Sequence, residues 1–141
     1  MRIRRQRMQW DICLTPPNSR FVVAVVDDEK SILQSLDFLL QSADLAVHLF
    51  TSASALIESK TLLQLDCLIS DIDMPGMDGF QLLRLVRAIR PGLPIIFITG
   101  YPEQVKRIPF LDGSYLRYFI KPFNGSEMLA AVDDALGQPR A

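Results

Sequence analysis

Short apolar runs recur along this chain, and between them the apolar positions change to helical spacing. The runs "RFVVAVV" (20–26), "AVHLF" (46–50), "DCLIS" (66–70), "PIIFIT" (94–99) and "YLRYFI" (115–120) are rich in β-branched and aromatic residues. Most are short enough to be buried strands, and they predict five of them. From Ser31 to Gln41, Ile32, Leu33, Leu36, Leu39 and Leu40 share one helical face, as do Phe80, Leu83, Val86 and Ile89 from Phe80 to Arg90. Ala53 to Leu63 and Ser126 to Leu136 read as further helices, the last with Asn124 or Ser126 as N-cap. The fourth connection, Tyr101 to Ser114, has the weakest pattern, and Pro109 within it should end or kink a helix.

Regular alternation of strand and helix implies parallel strands, right-handed crossovers and helices on both faces of the sheet. The expected fold is a doubly wound α/β sandwich. Such folds bind ligands beyond the carboxyl ends of their strands, so residues there matter most.

Composition adds limits. At 141 residues, with 49% apolar and 22% charged, the chain has the make-up of one packed domain. That domain is expected over residues 20–137, with a basic tail at 1–19 and a short tail at 138–141. The longest apolar run, Phe21 to Val26, is far below the roughly 18 residues of a membrane span, and the early arginines lack an apolar stretch behind them. A cytoplasmic location without membrane partners is expected. Cys13 and Cys67 have no metal-site spacing, and Cys67 reads as a small core residue. Residues 1–20 carry five arginines against Asp11, net +4, while the remainder carries 10 basic and 15 acidic residues, net −5. Such an arm can bind nucleic acid, but a solvated tail is the commoner use of four arginines near a terminus. Met8 is an alternative start that would remove most of it.

The strand ends collect a distinct set: Asp27, Asp28 and Glu29 after the first, Asp71 and Asp73 after the third, Thr99 after the fourth and Lys121 after the fifth. Several carboxylates in one crevice repel one another unless a cation neutralises them, and oxygen-only ligands with open positions suit Mg2+. An ammonium and a hydroxyl opposite them make a site for a phosphoryl group. A carboxylate can itself be the nucleophile, forming an acyl phosphate.

Four motifs, "VVDDE" (25–29), "SDIDMPGMDG" (70–79), "FITG" (97–100) and "FIKPF" (119–123), resemble in order and spacing the response-regulator receiver domain of two-component signalling, from about Arg20 to Leu136. The resemblance implies a flavodoxin-like five-stranded sheet of order 2-1-3-4-5. It implies Asp71 as phosphoacceptor, Asp28 and Asp71 as direct Mg2+ ligands, Asp27 acting through water and Asp73 through its backbone carbonyl. Lys121 would pair with the phosphoryl group, Thr99 would hydrogen-bond to it, and Tyr118 would rotate inward in step. The Lys121–Pro122 peptide would be cis. Partners implied are a sensor histidine kinase or histidine phosphotransfer protein and an unidentified downstream protein, with dimerisation on phosphorylation. Because the chain stops about five residues after its last helix, a stand-alone domain without a DNA-binding domain is expected.

Other readings compete. "DID" also resembles the opening of haloacid-dehalogenase-type phosphatases, but the acidic pair here precedes it rather than following, and no cap domain is present. A phosphorylation-independent interaction module is the third reading; retention of both Asp71 and Lys121 weighs against it. Asp78, with Pro75, Gly76 and Gly79, reads as loop structure, and Pro75 spoils an EF-hand pattern. His48, the only histidine, reads as structural. Two departures from the family pattern, Ser114–Tyr115 before the fifth strand and Pro109, fall on the surface the family uses for partners. Tyr101 and Asp73 flank the acceptor and are expected to tune the lifetime of the acyl phosphate, Tyr101 by shielding it from water.

Overall fold

The computed structural model describes residues 20–110 and 115–137. Among these, the strands are β1 (Val22–Val26), β2 (Ala46–Phe50), β3 (Cys67–Asp71), β4 (Ile95–Thr99) and β5 (Leu116–Ile120). The α-helices are α1 (Lys30–Ser42), α2 (Ala53–Ser59), α3 (Gly79–Ile89) and α4 (Gly125–Leu136). All strand pairs are parallel, in the order β2-β1-β3-β4-β5, as expected of a flavodoxin-like fold. No helix among the described residues is long and apolar enough to cross a membrane.

Alternate strand residues feed two separate cores, because successive side chains of a strand point to opposite faces. Val23, Val25, Cys67, Ile69, Ile96 and Ile98 pack with Leu33, Leu36 and Leu40 of α1 and with Met128, Ala131 and Val132 of α4. Ala24, Val26, Leu68, Ile95 and Phe97 pack on the other face with Leu56 of α2 and Phe80, Leu83 and Val86 of α3. The inner strands β3 and β4 are therefore buried along their whole length. Burial pushes the Cys67 thiol up to about 12, as suits an inert core residue.

Register places the site. Val26 lies beside Phe50 and Ser70, so Asp27 and Asp71, the next residues, emerge side by side. Asp71 pairs with Ile98 and Thr99 with Ile120, which brings Thr99 and Lys121 to the same edge. The Lys121–Pro122 peptide is cis.

Loop chemistry follows the sequence closely around α3. Asp78 Oδ1 accepts from the Gln81 N–H and Gln81 Oε1 from the Asp78 N–H, both at 2.9 Å, a reciprocal N-cap that accounts for this third aspartate. Gly79 lies so close to the end of β3 that a Cβ there would stand 2.6 Å from the Asp71 carbonyl oxygen and 2.8 Å from the Ile72 Cα. Backbone atoms cannot yield as a side chain can. Gly79→Ala is expected to lower stability by about 1–3 kcal/mol in denaturant titrations through overpacking, and an unchanged midpoint would refute that account.

The structure differs from the expected elements in three places. The helix begun at Ala53 stops at Ser59, because Lys60 turns left-handed with φ 63°, and a 3₁₀ turn at Thr61–Gln64 follows. The fourth connection forms a 3₁₀ helix, Pro102–Arg107, with no buried residue, so it lacks the apolar stripe that would hold a longer helix to the core. His48 is exposed on the edge strand β2 rather than packed within the structure. Of the two departures before β5, Ser114 lies outside the described residues, as do Cys13 and the arginines of residues 1–19. Tyr115 ties β5 to α4, its hydroxyl donating to the Ala131 carbonyl at 3.0 Å and lying 3.3 Å from Asp134 Oδ2.

Candidate functional site

The carboxyl ends of β1, β3, β4 and β5 bring the expected residues into one crevice. Asp27 and Thr99 are wholly buried and Asp71 is 3% exposed, whereas Asp28 is open to solvent. One carboxylate oxygen from each of Asp27, Asp28 and Asp71 lies within 4.8 Å of the others. The Lys121 ammonium bridges them to the rim, donating to Glu29 Oε1 at 2.7 Å and lying 3.0 Å from Asp27 Oδ2 and 3.6 Å from Asp71 Oδ2.

The contact with Asp27 Oδ2 is an ion pair outside the directions of a hydrogen bond, so this buried oxygen keeps unsatisfied acceptor capacity. Asp27 Oδ1, by contrast, accepts from the Glu29 N–H at 2.8 Å. A buried carboxylate oxygen with acceptor capacity to spare, beside two further carboxylates, fits a hard divalent cation.

Burial and the neighbouring charge of Asp27 push the Asp71 carboxyl up to about 7, against the smaller opposing pull of Lys121. Burial likewise raises Asp27. For Lys121, burial alone would lower the ammonium, but the hydrogen bond it donates to Glu29 and the neighbouring carboxylates of Asp27 and Asp71 outweigh it and hold it above the usual lysine range. Lys121 is thus a fixed positive charge, and Asp71 a carboxylate in need of another.

Thr99 is at the site, and its hydroxyl donates to Asp73 Oδ2 at 2.7 Å and accepts from the Tyr101 N–H at 3.0 Å. Asp73 reaches back to the acceptor through its backbone, its N–H lying 3.3 Å from Asp71 Oδ1. The Asp73 side chain is not left loose, because its second oxygen accepts from Gln104 Nε2 at 2.6 Å. The Tyr101 side chain is mostly exposed. Tyr118 stands away from the crevice, partly exposed, its ring 6.1 Å from that of Phe110.

This crevice decides the family when set beside known proteins, for the family model described as the response regulator receiver domain matches residues 23–133. The chain belongs to the response-regulator receiver family. Among its relatives are the transcriptional regulatory protein FixJ of Bradyrhizobium diazoefficiens, 32% identical over 82% of this chain and 57% of FixJ, and the DNA-binding transcriptional regulator NtrC of Klebsiella pneumoniae, 34% identical over 83% of this chain and 25% of NtrC. The beryllofluoride-activated receiver domain of DrrB superposes with a TM-score of 0.75 at 27% identity, covering 84% of this chain and 99% of that domain.

These relatives correct one expectation. The chain spans 57% of the length of one of these curated proteins and 25% of the other, and both are transcriptional regulators, one named as DNA-binding. The inference that no DNA-binding domain is involved, drawn from the position of the last helix, is overturned. A receiver buries its own core, so the same packing serves alone or joined to an output domain, and chain length does not discriminate between them. The family assignment also sets aside the phosphatase reading of "DID".

Two residues of this receiver escaped sequence reading in the roles they take. Glu29 was visible only as one more acid after β1, and its pairing with Lys121 spans 92 residues. Gln104 gave no signal, being an ordinary polar residue in the weakest segment.

Proposed function

We propose that the chain is a phosphoacceptor receiver, a unit over residues 20–137 that takes a phosphoryl group from the phosphohistidine of a sensor kinase onto Asp71. The observation that carries the reading is the Asp71 carboxylate itself: buried, raised to about 7, with an ammonium 3.6 Å away and two further carboxylates grouped beside it. Asp28 and Asp71 would hold Mg2+ directly, Asp27 through water, with the Asp73 carbonyl as a further ligand. When bound, the ion neutralises the carboxylates and the charge of the incoming phosphoryl oxygens.

The chain's own residues do the rest. Asp71 attacks in line, forming an O–P bond as the N–P bond of the phosphohistidine breaks. Lys121, already aligned, follows the phosphoryl oxygens without a change of protonation. Thr99 turns its hydroxyl to the new group, and Tyr118 leaves Phe110 to turn inward with it. The domain thus catalyses only its own phosphorylation and dephosphorylation.

A phosphotransfer profile against the histidine kinases of the host tests this reading. One kinase is expected to label the chain rapidly in the presence of Mg2+, and chelation is expected to stop it; labelling that survives chelation would refute the metal's part. For lifetime, Tyr101→Ala is expected to speed loss of the acyl phosphate about tenfold, equivalent to about 1.4 kcal/mol of barrier. An unchanged half-life would sink the shielding role of Tyr101.

A further inference from the structure

A hydrogen-bonded chain leaves the site through a residue that no role above employs. The Thr99 hydroxyl has one proton, and its short bond gives that proton to Asp73 Oδ2. Gln104 Nε2 donates to Asp73 Oδ1 at 2.6 Å, and Gln104 Oε1 accepts from Arg107 Nη1 at 3.1 Å. The Arg107 guanidinium lies 4.7 Å over the ring of Phe80, which packs edge-on against Phe97 in the core at 5.6 Å between centroids. Arginine has only donors, so the oxygen end of the Gln104 amide must face it and the NH2 end must face the carboxylate. The amide is oriented by its neighbours on both sides.

Thr99 therefore has two claimants. While its proton serves Asp73, it cannot serve an oxygen of a phosphoryl group on Asp71. The segment Pro102–Arg107 buries no residue of its own, so its hold on the domain rests on the bonds of Gln104 and the Tyr101 N–H, on Arg107 over the Phe80 ring and on Ile108, which is buried just beyond it; of these, Gln104 is the one that reaches the Asp73 carboxylate.

We infer that Gln104 is a positioning residue for Asp73: it fastens the Asp73 carboxylate onto the Thr99 hydroxyl and holds residues 102–107 against the unphosphorylated site, so that phosphoryl capture must first break the Thr99–Asp73 bond. This rests on Asp71 as acceptor and adds to it the restraint that keeps the site in its resting form. An equilibrium of this kind lowers the apparent affinity of any phosphoryl mimic by the fraction of molecules already released.

Titration of the protein with beryllofluoride and Mg2+, followed by nitrogen-15 NMR, tests the inference. Gln104→Leu removes the donor at nearly constant volume and is expected to bind beryllofluoride about tenfold more tightly, the scale of one charge-assisted hydrogen bond. In an Asp73→Ala background the same substitution is expected to change affinity by less than about twofold, because the carboxylate through which Gln104 acts is gone. In the unsubstituted protein, the side-chain amide signals of Gln104 are expected to shift on binding. Unchanged or weaker binding by Gln104→Leu, an equal effect in both backgrounds, or amide signals that do not move would each overturn the inference. A failure of the unsubstituted protein to bind beryllofluoride would instead overturn the acceptor reading, and this inference with it.

Discussion

Asp71→Asn is expected to abolish labelling by a kinase or by a small acyl phosphate, a fall of at least about 10²-fold, and at the same time to stabilise the metal-free protein at pH 8. The two effects share one cause. A carboxamide keeps the shape of the side chain but lacks the oxygen anion that attacks phosphorus, and it also lacks the charge that the crevice tolerates poorly. The folded chain raises Asp71 from 3.8 to about 7, so it holds this proton more tightly than the unfolded chain does. That contribution to stability is fully present below about pH 4 and is lost as pH rises through 7. At about 1.4 kcal/mol for each pH unit, and with coupling to Asp27 and Lys121 reducing the sum, the penalty at pH 8 is on the order of 2–4 kcal/mol. Asp71→Asn escapes it. Denaturation in chelator at pH 5 and pH 8 should show a gap between wild type and variant that is small at pH 5 and widens at pH 8. Added Mg2+ should close it from the wild-type side, since a ligand that binds only the folded state stabilises that state. Persistent labelling of the variant would refute the acceptor, and equal stability at pH 8 would refute the electrostatic account.

Lys121→Met is expected to slow phosphoryl acceptance by about 10²-fold or more, as removal of one preorganised donor does in comparable sites. Its effect on stability should have the opposite sign to that of Asp71→Asn. The ammonium lies within 3.6 Å of two buried carboxylates and donates to Glu29, and methionine fills the space of the stem while leaving Asp27 and Asp71 without their counter-charge. Both carboxyls should then rise further, and the loss of stability with increasing pH in chelator should steepen. Combining Lys121→Met with Asp71→Asn should recover part of the loss, because one of the uncompensated charges is gone. Stopped-flow phosphorylation by a small phosphodonor and denaturation in chelator together check the prediction. A phosphorylation rate within about twofold of wild type would remove Lys121 from the mechanism.

Much of this fold and site was legible in the chain because it rests on local pattern. The near-continuous apolar runs at 66–70 and 94–99 become β3 and β4, buried on both faces, and a charged residue in such a strand is costly except at an end. Polar residues at those ends, Asp71 and Thr99, were conspicuous for that reason. Asp78 and Gly79 were likewise readable, because an N-cap and a close backbone approach are satisfied within a few residues. The short amphipathic segments were harder. Ala53 to Leu63 carries apolar residues beyond Ser59, but the helix ends at the left-handed turn of Lys60, which the apolar spacing does not signal.

Alternation of apolar and polar residues by itself determined that this protein is a parallel, doubly wound sheet with acidic residues, a threonine and a lysine at its strand ends, since period and chain direction leave those ends on one edge. The tertiary structure alone decided which partners they take. Lys121 meets Glu29 and Asp27 across more than 90 positions, and the Asp73 side chain, read from sequence only as flanking the acceptor, is held by Thr99 and Gln104, 26 and 31 residues away. Hydrogen bonds and ion pairs of that range depend on crossover geometry and on the distance between loops, and a linear pattern contains neither. The arginine-borne chain through Gln104 to Phe80 exists only because a segment too polar to bury a helix settled against the site instead.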